Sequence, residues 1–186
     1  MSRVKVLRPP LTEEVVEELR VGDQVLFTGR LLTARDAAHQ RLVEALRRGE
    51  ELPVDLKGQV IYYTGPTPAP PGRVIGSAGP TTSGRMDPYT PSLLAKGLKG
   101  MIGKGYRSLE VREALVKFRA VYFVTYGGAG ALLSRCIKGV RLVAYPELGP
   151  EAIYEFWVED FPAWVANDIY GGDIYKASLS QHCGRG

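Results

Sequence analysis

Strand-like and helix-like patterns of apolar and polar residues alternate along this chain. Residues 59–64 and 120–125 are rich in β-branched and aromatic side chains, which is typical of strands. Further strands are predicted at residues 3–7, 23–28, 101–103, 140–144, 152–158 and 164–169, and helices at 12–19, at 108–118 and after Thr33, Thr90 and Gly130. The alternation predicts an α/β protein in which helices flank a sheet.

The second predicted helix has a cation near its beginning. Gly29 is expected to end the strand before it, and Thr33, three residues before Asp36, resembles a capping box. With Thr33 as the N-cap, Arg35 lies in the first turn, where a guanidinium beside free backbone N–H groups can bind a carboxylate. An exposed arginine that contacts only water is the alternative.

The segment GPTTSGRMD, residues 79–87, has the densest set of candidate ligand-binding groups. It carries the hydroxyls of Thr81 and Thr82, the cation of Arg85 and a carboxylate on a loop with glycine and proline. Lys104 follows a short predicted strand and lies between two glycines, which let the backbone approach a ligand closely. An exposed turn lysine is the alternative there. Together with Arg35, these loops predict a pocket for a small, multiply charged anion.

Two other loops leave alternatives open. Residues 65–72 contain four prolines, and this segment is either a linker between domains or a rigid loop beside the predicted anion site. The glycine run GGAG, residues 127–130, lacks the lysine of a phosphate-binding P-loop and does not match GxGxxG. A nucleotide-binding α/β enzyme built on that run is therefore a weaker hypothesis than the small-anion pocket.

Composition and charge exclude several classes of protein. The 186 residues carry a net charge of +4, with 45% hydrophobic and 24% charged residues, as expected for a globular domain. The basic residues are mixed with acidic ones rather than forming a stripe with aromatics, so no nucleic-acid binding is expected. We also expect no membrane span. Since the first residues lack the apolar block of a secretory signal, we expect a cytoplasmic protein.

The chain has two cysteines, Cys136 and Cys183. Cys136 lies in an apolar helical context and is predicted to be buried, whereas Cys183 belongs to residues 179–186, a predicted flexible tail. Two thiols are fewer than a zinc or iron–sulfur site requires. We therefore predict no metal site in this chain, and any metal must be held mostly by another chain.

Three motifs resemble, in this order, the class I fumarate hydratases and L-tartrate dehydratases. They are TARDAAH (residues 33–39), GPTTSGRMD (79–87) and GKG (103–105). The resemblance is to the β subunit of these enzymes, or to the C-terminal domain of the fused forms. It continues through GGAGALL (127–133) and EDFPA (159–163), so that it covers a domain of residues 1–178. It is specific to the family rather than to one member.

The resemblance implies a single swivelling β/β/α domain with a mixed sheet. It also implies a hydro-lyase whose [4Fe–4S] cluster is bound by a separate α subunit, in a heteromer built on a dimer. The expected reaction is the reversible hydration of fumarate to L-malate, with L-tartrate or mesaconate as alternative substrates. A non-catalytic dicarboxylate-binding module is the competing hypothesis from another class.

The resemblance also assigns roles to individual residues. Arg35, Arg85 and Lys104 would hold the substrate carboxylates, and Thr82 would be a further substrate-binding residue. Thr81 would abstract the proton, with Thr82 beside it as the alternative base. This step places negative charge on the neighbouring carboxylate, where Arg and Lys donors stabilise it. A packing role is expected for His39, which lies in the first of the three motifs.

Overall fold

One seven-stranded sheet organises residues 3–126 and 130–176, the ranges that this computed structural model describes. Its strands are β1 (Lys5–Leu7), β2 (Gln24–Thr33), β3 (Val60–Tyr62), β4 (Gly100–Gly103), β5 (Val121–Val124), β6 (Ile137–Ala144) and β7 (Ile153–Asn167). Strands β1 to β5 pair consecutively in parallel, whereas β7 is antiparallel to β2, β5 and β6. Because β7 pairs with both β2 and β5, the sheet closes on itself through β2, β3, β4, β5 and β7.

Alternate residues of the central strands enter two different cores. Val60 and Tyr62 of β3 pack with Phe123 of β5 in a core built from all five strands of the closed part of the sheet. Ile61, between them, packs in a second core, which the helices α2 (Asp36–Arg47), α3 (Thr90–Leu94) and α4 (Leu109–Phe118) cover. Both faces of β3 are therefore buried, as is usual for parallel strands with a layer on each side. A mixed sheet flanked by helices confirms the predicted α/β class.

Local signals set where several helices begin. Thr12 caps α1 (Glu13–Glu17) because its hydroxyl accepts a hydrogen bond from the Val15 N–H, and Ser108 caps α4 in the same way from Val111. Pro91 occupies the first turn of α3, where a missing N–H costs nothing. These starts agree with the predicted helices. The short helix α5 (Gly130–Leu133) follows β5.

Two expectations about the second strand are wrong. β2 continues through Gly29, whose φ of 121° lies at an irregularity in the pairing with β7, and it ends only at Thr33. Thr33 does not cap α2, because its hydroxyl accepts a hydrogen bond from the Tyr154 N–H of β7 (3.1 Å). The N-cap is Arg35, which makes no side-chain hydrogen bond to the helix. In both cases β7, which is distant in sequence, overrides the local signal.

The strands predicted at residues 152–158 and 164–169 are also wrong, since they form the single strand β7. Pairing with β2 continues through Phe161 and Pro162, although Asp160 before them has a positive φ of 50°. Cys136 lies in a short 3-10 turn (Ser134–Cys136) and is half-buried instead of buried. This partial burial raises the pKa of its thiol.

Some predictions fall outside the described residues. These are the glycines of the 127–129 segment, the end of the predicted domain at residue 178, and the 179–186 tail with Cys183. Among the helices of the described ranges, none combines the length and the apolar character that crossing a membrane requires.

Candidate functional site

The carboxyl ends of the parallel strands meet at one edge of the sheet. Arg35 follows β2, Thr64 follows β3, Lys104 follows β4 and Thr125 follows β5. Because β2 to β5 are consecutive parallel neighbours, these residues lie along the same edge, which we call the carboxyl edge. Ligands of α/β sheets gather beyond such strand ends.

Residues 81–83 extend the sheet between the ends of β3 and β4. The Thr81 N–H donates to the Tyr63 carbonyl (2.7 Å), and the Thr81 carbonyl accepts from the Lys104 N–H (3.3 Å). The Lys104 carbonyl in turn accepts from the Ser83 N–H (2.9 Å), so that Thr82 and Lys104 lie side by side in parallel register. Backbone hydrogen bonds thus hold both threonines next to the lysine.

A single carboxylate brings the two predicted arginines together. Arg85, in the 3-10 turn Ser83–Met86, donates from Nε to Asp36 Oδ1 (3.0 Å), and its Nη2 lies 3.0 Å from Asp36 Oδ2. The Arg35 Nη2 lies 3.8 Å from the same Oδ2. The Asp36 carboxylate therefore occupies, between two guanidinium groups, the kind of position that a carboxylate of a ligand could take.

The guanidinium of Arg35 lies against the start of the proline-containing loop. A Cβ added at Gly65 would lie 3.0 Å from Arg35 Cδ and 3.1 Å from Arg35 Nη1, so a larger residue there would require the Arg35 side chain to shift by a few tenths of an ångström. Arg35 Nε is buried, and among the described residues it has no hydrogen-bond partner. Since β3 and β4 on either side of residues 65–72 pair directly, this segment is a loop of one sheet beside Arg35 and not a linker between domains.

His39 lies beneath Arg35 and is fully buried. Its Nδ1 is 2.8 Å from the Arg35 carbonyl, which can only accept, so that Nδ1 carries the proton. Its ring packs edge-on against Tyr63, with the ring centroids 5.3 Å apart. Burial lowers the pKa of His39 to about 4, so the imidazole is neutral at physiological pH. This placement agrees with the packing role expected for it.

The remaining predicted groups face solvent along the carboxyl edge. Thr82, Arg85 and Lys104 are exposed, whereas Thr81 is half-buried. The Lys104 ammonium has no ion-pair partner within residues 3–126 and 130–176, so it is available to an anionic ligand. The structure therefore brings the two threonines together with Lys104, and Arg35 together with Arg85, on one exposed edge.

A buried polar network beneath this edge was missed by the sequence analysis. Arg107 is 2% exposed and donates from Nε to Asp87 Oδ1 (2.7 Å), while its two terminal nitrogens contact the hydroxyls of Tyr63 (3.2 Å) and Thr90 (2.8 Å). The other Asp87 oxygen accepts from the Ser108 N–H (2.9 Å). The carboxylate of Asp87 was visible in the GPTTSGRMD motif, but nothing local indicates that Arg107, in a turn-like stretch after Gly105, is buried.

The metal-binding donors within residues 3–126 and 130–176 do not fit an iron–sulfur cluster. The described ranges contain no group of three or more His, Cys, Asp or Glu side chains arranged to hold a metal ion. The sequence has two cysteines, of which Cys136 donates its thiol to the Asp160 carbonyl (3.7 Å), and a cluster needs a larger set of thiolates.

Comparisons with known proteins agree on one family. The family model described as "Fumarase C-terminus" matches residues 1–178. The aerobic class I fumarate hydratase of Salmonella typhimurium is 41% identical over 98% of this chain and 32% of its own length. The anaerobic class I fumarate hydratase of Escherichia coli K12 is 40% identical over 97% of this chain and 34% of its own length. The chain thus spans about a third of the length of these fumarate hydratases.

A relative of similar size is found in an archaeon. The protein of Methanocaldococcus jannaschii that is provisionally named L(+)-tartrate dehydratase subunit beta is 38% identical over 89% of this chain and 88% of its own length. In that organism a chain of these proportions is therefore named as a separate subunit.

Proposed function

Because the chain belongs to the fumarase C-terminus family, we propose that it is the substrate-binding β subunit of a hydro-lyase that interconverts fumarate and L-malate. The relatives named as fumarate hydratases support the reaction, and the relative named as a beta subunit supports a partner α subunit. The observation that carries the proposal is the position of residues 81–83, which sets two threonines beside Lys104 at the carboxyl edge.

Three cations would bind the two carboxylates of the substrate. Arg35 and Arg85 already share the carboxylate of Asp36, and Arg85 presents its guanidinium as a fork, the geometry that matches a carboxylate best. An exposed ion pair of this kind contributes about 1 kcal/mol or less, so a dianion can compete for Arg85 at little cost. Lys104 supplies the third charge from the neighbouring strand end.

Proton transfer is assigned to Thr81. Dehydration of malate removes a proton from the carbon next to a carboxylate, and the electron pair left behind is delocalised onto the oxygens of that carboxylate. This pair then forms the carbon–carbon double bond as hydroxide leaves the adjacent carbon. Hydrogen-bond donors already placed beside that carboxylate stabilise the transition state more than the ground state. The Thr81 hydroxyl is a weak base by itself and would need a nearby positive charge to favour its ionised form, for which Lys104, on the adjoining backbone, is the candidate.

The [4Fe–4S] cluster expected for this class is assigned to the α subunit, because the donors of this chain do not fit it. The α subunit would seat on the carboxyl edge, since the exposed side chains proposed to hold the substrate lie there. A heteromer built on a dimer of such pairs, in the cytoplasm, completes the proposal.

Tartrate is the second candidate substrate. The relative from Methanocaldococcus jannaschii favours it, because it matches this chain over most of both lengths and carries a tartrate dehydratase name. Anaerobic rate measurements on malate, tartrate and mesaconate with the same reconstituted complex distinguish the substrates.

The test of the proposal is the Thr81→Ala variant in the complex with the α subunit, assayed without oxygen. We expect malate binding to persist and turnover to fall by about 10²–10⁴-fold, the usual contribution of a positioned base. The matched control is Ser92→Ala, which removes an exposed hydroxyl from α3 and should keep full activity. Brisk turnover by Thr81→Ala would assign the base elsewhere. A colourless chain that binds malate without any partner would favour the dicarboxylate-binding module.

A further inference from the structure

We propose that Arg107 is a positioning residue that holds residues 81–87 against the end of β4, and so sets the spacing of Thr81 and Arg85 from Lys104. The inference rests on the proposed function for its catalytic consequence. It rests on the buried contacts of Arg107 for the spacing itself. Arg107 is itself buried beneath the carboxyl edge, so it acts on the site only through other residues.

The guanidinium of Arg107 joins two segments that both belong to the candidate site. Its Nε donates to Asp87, which directly follows the turn that carries Arg85. Arg107 itself lies three residues after Lys104, and the second oxygen of Asp87 accepts from the next backbone N–H, that of Ser108. Two charge-assisted hydrogen bonds therefore connect the far end of the 81–87 segment to the chain that leaves β4.

Tyr122 of β5 makes a second connection between the same segments. Its hydroxyl lies 2.7 Å from both Ser83 Oγ and the Gly105 carbonyl, the residues that follow Thr82 and Lys104. The guanidinium of Arg107 lies over the Tyr122 ring, 4.8 Å from its centroid, and so fixes that ring. A Cβ at Gly103 would overlap Ser83 Oγ, so the segment also rests directly on β4.

Stability alone does not explain a charged residue at this position. Moving a guanidinium out of water costs several kcal/mol, and a well-packed apolar side chain often replaces a buried ion pair without loss. What the guanidinium adds is direction, because its planar fork addresses Asp87, Tyr63 and Thr90 at once. A fully bonded polar network of this kind specifies one arrangement of its segments. Catalysis depends on that arrangement, since a displacement of about 1 Å can lower a rate about 100-fold.

The experiment compares Arg107→Lys with the wild type by amide hydrogen exchange and by kinetics. Lysine can keep the ion pair to Asp87 but loses the contacts to Tyr63 and Thr90. We expect the Ser83 and Lys104 amides to exchange about tenfold faster or more, while amides of β7 keep their rates. In the reconstituted complex kcat should fall about tenfold or more, with a smaller change in KM.

Tyr122→Phe is the second variant, because it removes one hydroxyl and keeps the ring. It should raise the exchange rates of the same amides. Its matched control is Tyr170→Phe, which removes a hydroxyl that donates to the Glu17 carbonyl of α1. This control should leave the exchange rates of the Ser83 and Lys104 amides unchanged.

Unchanged exchange at Ser83 and Lys104 in Arg107→Lys, or equal acceleration across the whole sheet, overturns the proposal, because the first excludes positioning and the second shows general destabilisation. Local acceleration in Arg107→Lys, together with a wild-type complex that does not turn over malate, would instead refute the proposed function and leave the positioning role of Arg107 standing.

Discussion

Two arginine–aspartate pairs, each with one member in the segment 85–87, differ mainly in their contact with water. Arg85 pairs with Asp36 at the carboxyl edge, where the two side chains are 53% and 32% exposed. Arg107 pairs with Asp87 beneath that edge, where the exposures are 0% and 15%. The distances are similar, 3.0 Å and 2.7 Å. We call Arg85–Asp36 the exposed level and Arg107–Asp87 the buried level. The same kind of ion pair therefore occurs in two environments that differ in their access to water.

Solvent decides which pair can exchange its partner. In the exposed pair, water replaces much of what the ion pair provides, so Arg85 can leave Asp36 for a substrate carboxylate. In the buried pair, loss of one partner leaves a charge without water, which is strongly unfavourable. The exposed level can therefore respond to a ligand, while the buried level keeps the geometry constant.

The largest expected effect is on the free energy of unfolding, when the buried pair loses its carboxylate charge. Asp87→Asn leaves the guanidinium of Arg107 buried without its counter-charge, and we expect the free energy of unfolding to fall by about 3–5 kcal/mol. Urea denaturation measures this loss directly. A loss below about 1 kcal/mol would mean that Asp87 and Arg107 are as well solvated as the exposed pair.

Arg85→Lys should affect catalysis instead of folding. Lysine keeps the charge but loses the fork, and we expect a loss of about 2–4 kcal/mol of transition-state stabilisation. This corresponds to a fall of about 30-fold or more in kcat/KM for malate, measured in the reconstituted complex. The control is Arg47→Lys on α2, an exposed arginine without an ion pair in the described ranges. Unchanged kinetics for Arg85→Lys would remove Arg85 from the site.

Short-range signals predicted much of the fold because they act within one or two turns of chain. The hydroxyls of Thr12 and Ser108 cap the helices whose starts they indicated, and the β-branched runs became β3 and β5. The errors at Gly29 and Thr33 have one cause. Both residues pair or hydrogen bond with β7, more than 120 residues away, and the length of β7 follows from its pairing with β2.

The candidate site divides in the same way. Lys104 at the end of a buried strand could be predicted, because strand ends are visible in the pattern and the carboxyl edge follows from parallel order. Arg107 could not, since its burial results from Asp87 and Thr90, which reach it across the fold. Asp36 was noticed only as a capping residue, and its position between two arginines depends on the turn that brings Arg85 to α2.

The burial of His39 should make the free energy of unfolding depend on pH. Its pKa is about 4 in the folded chain against an ordinary 6.5. The unfolded chain therefore binds a proton that the folded chain excludes, so stability is complete above pH 6.5 and decreases as the pH falls toward 4. The loss approaches about 3 kcal/mol at the lower end. His39→Leu should flatten this part of the curve of unfolding free energy against pH, and an identical slope in the variant would show that His39 is protonated when folded.

The smallest effect belongs to Asp36→Asn at the exposed level. Asp36 is partly exposed, so removing its charge at the first turn of α2 should change the free energy of unfolding by only about 1 kcal/mol, including the interaction with the helix dipole. If Arg85 binds the substrate as proposed, the same change removes a competing carboxylate, so KM for malate should fall slightly while kcat stays near the wild-type value. A clear rise in KM would instead mean that Asp36 holds Arg85 in its binding position. In both pairs the aspartate would then hold its arginine in place, and the pairs would differ only in their exposure to water.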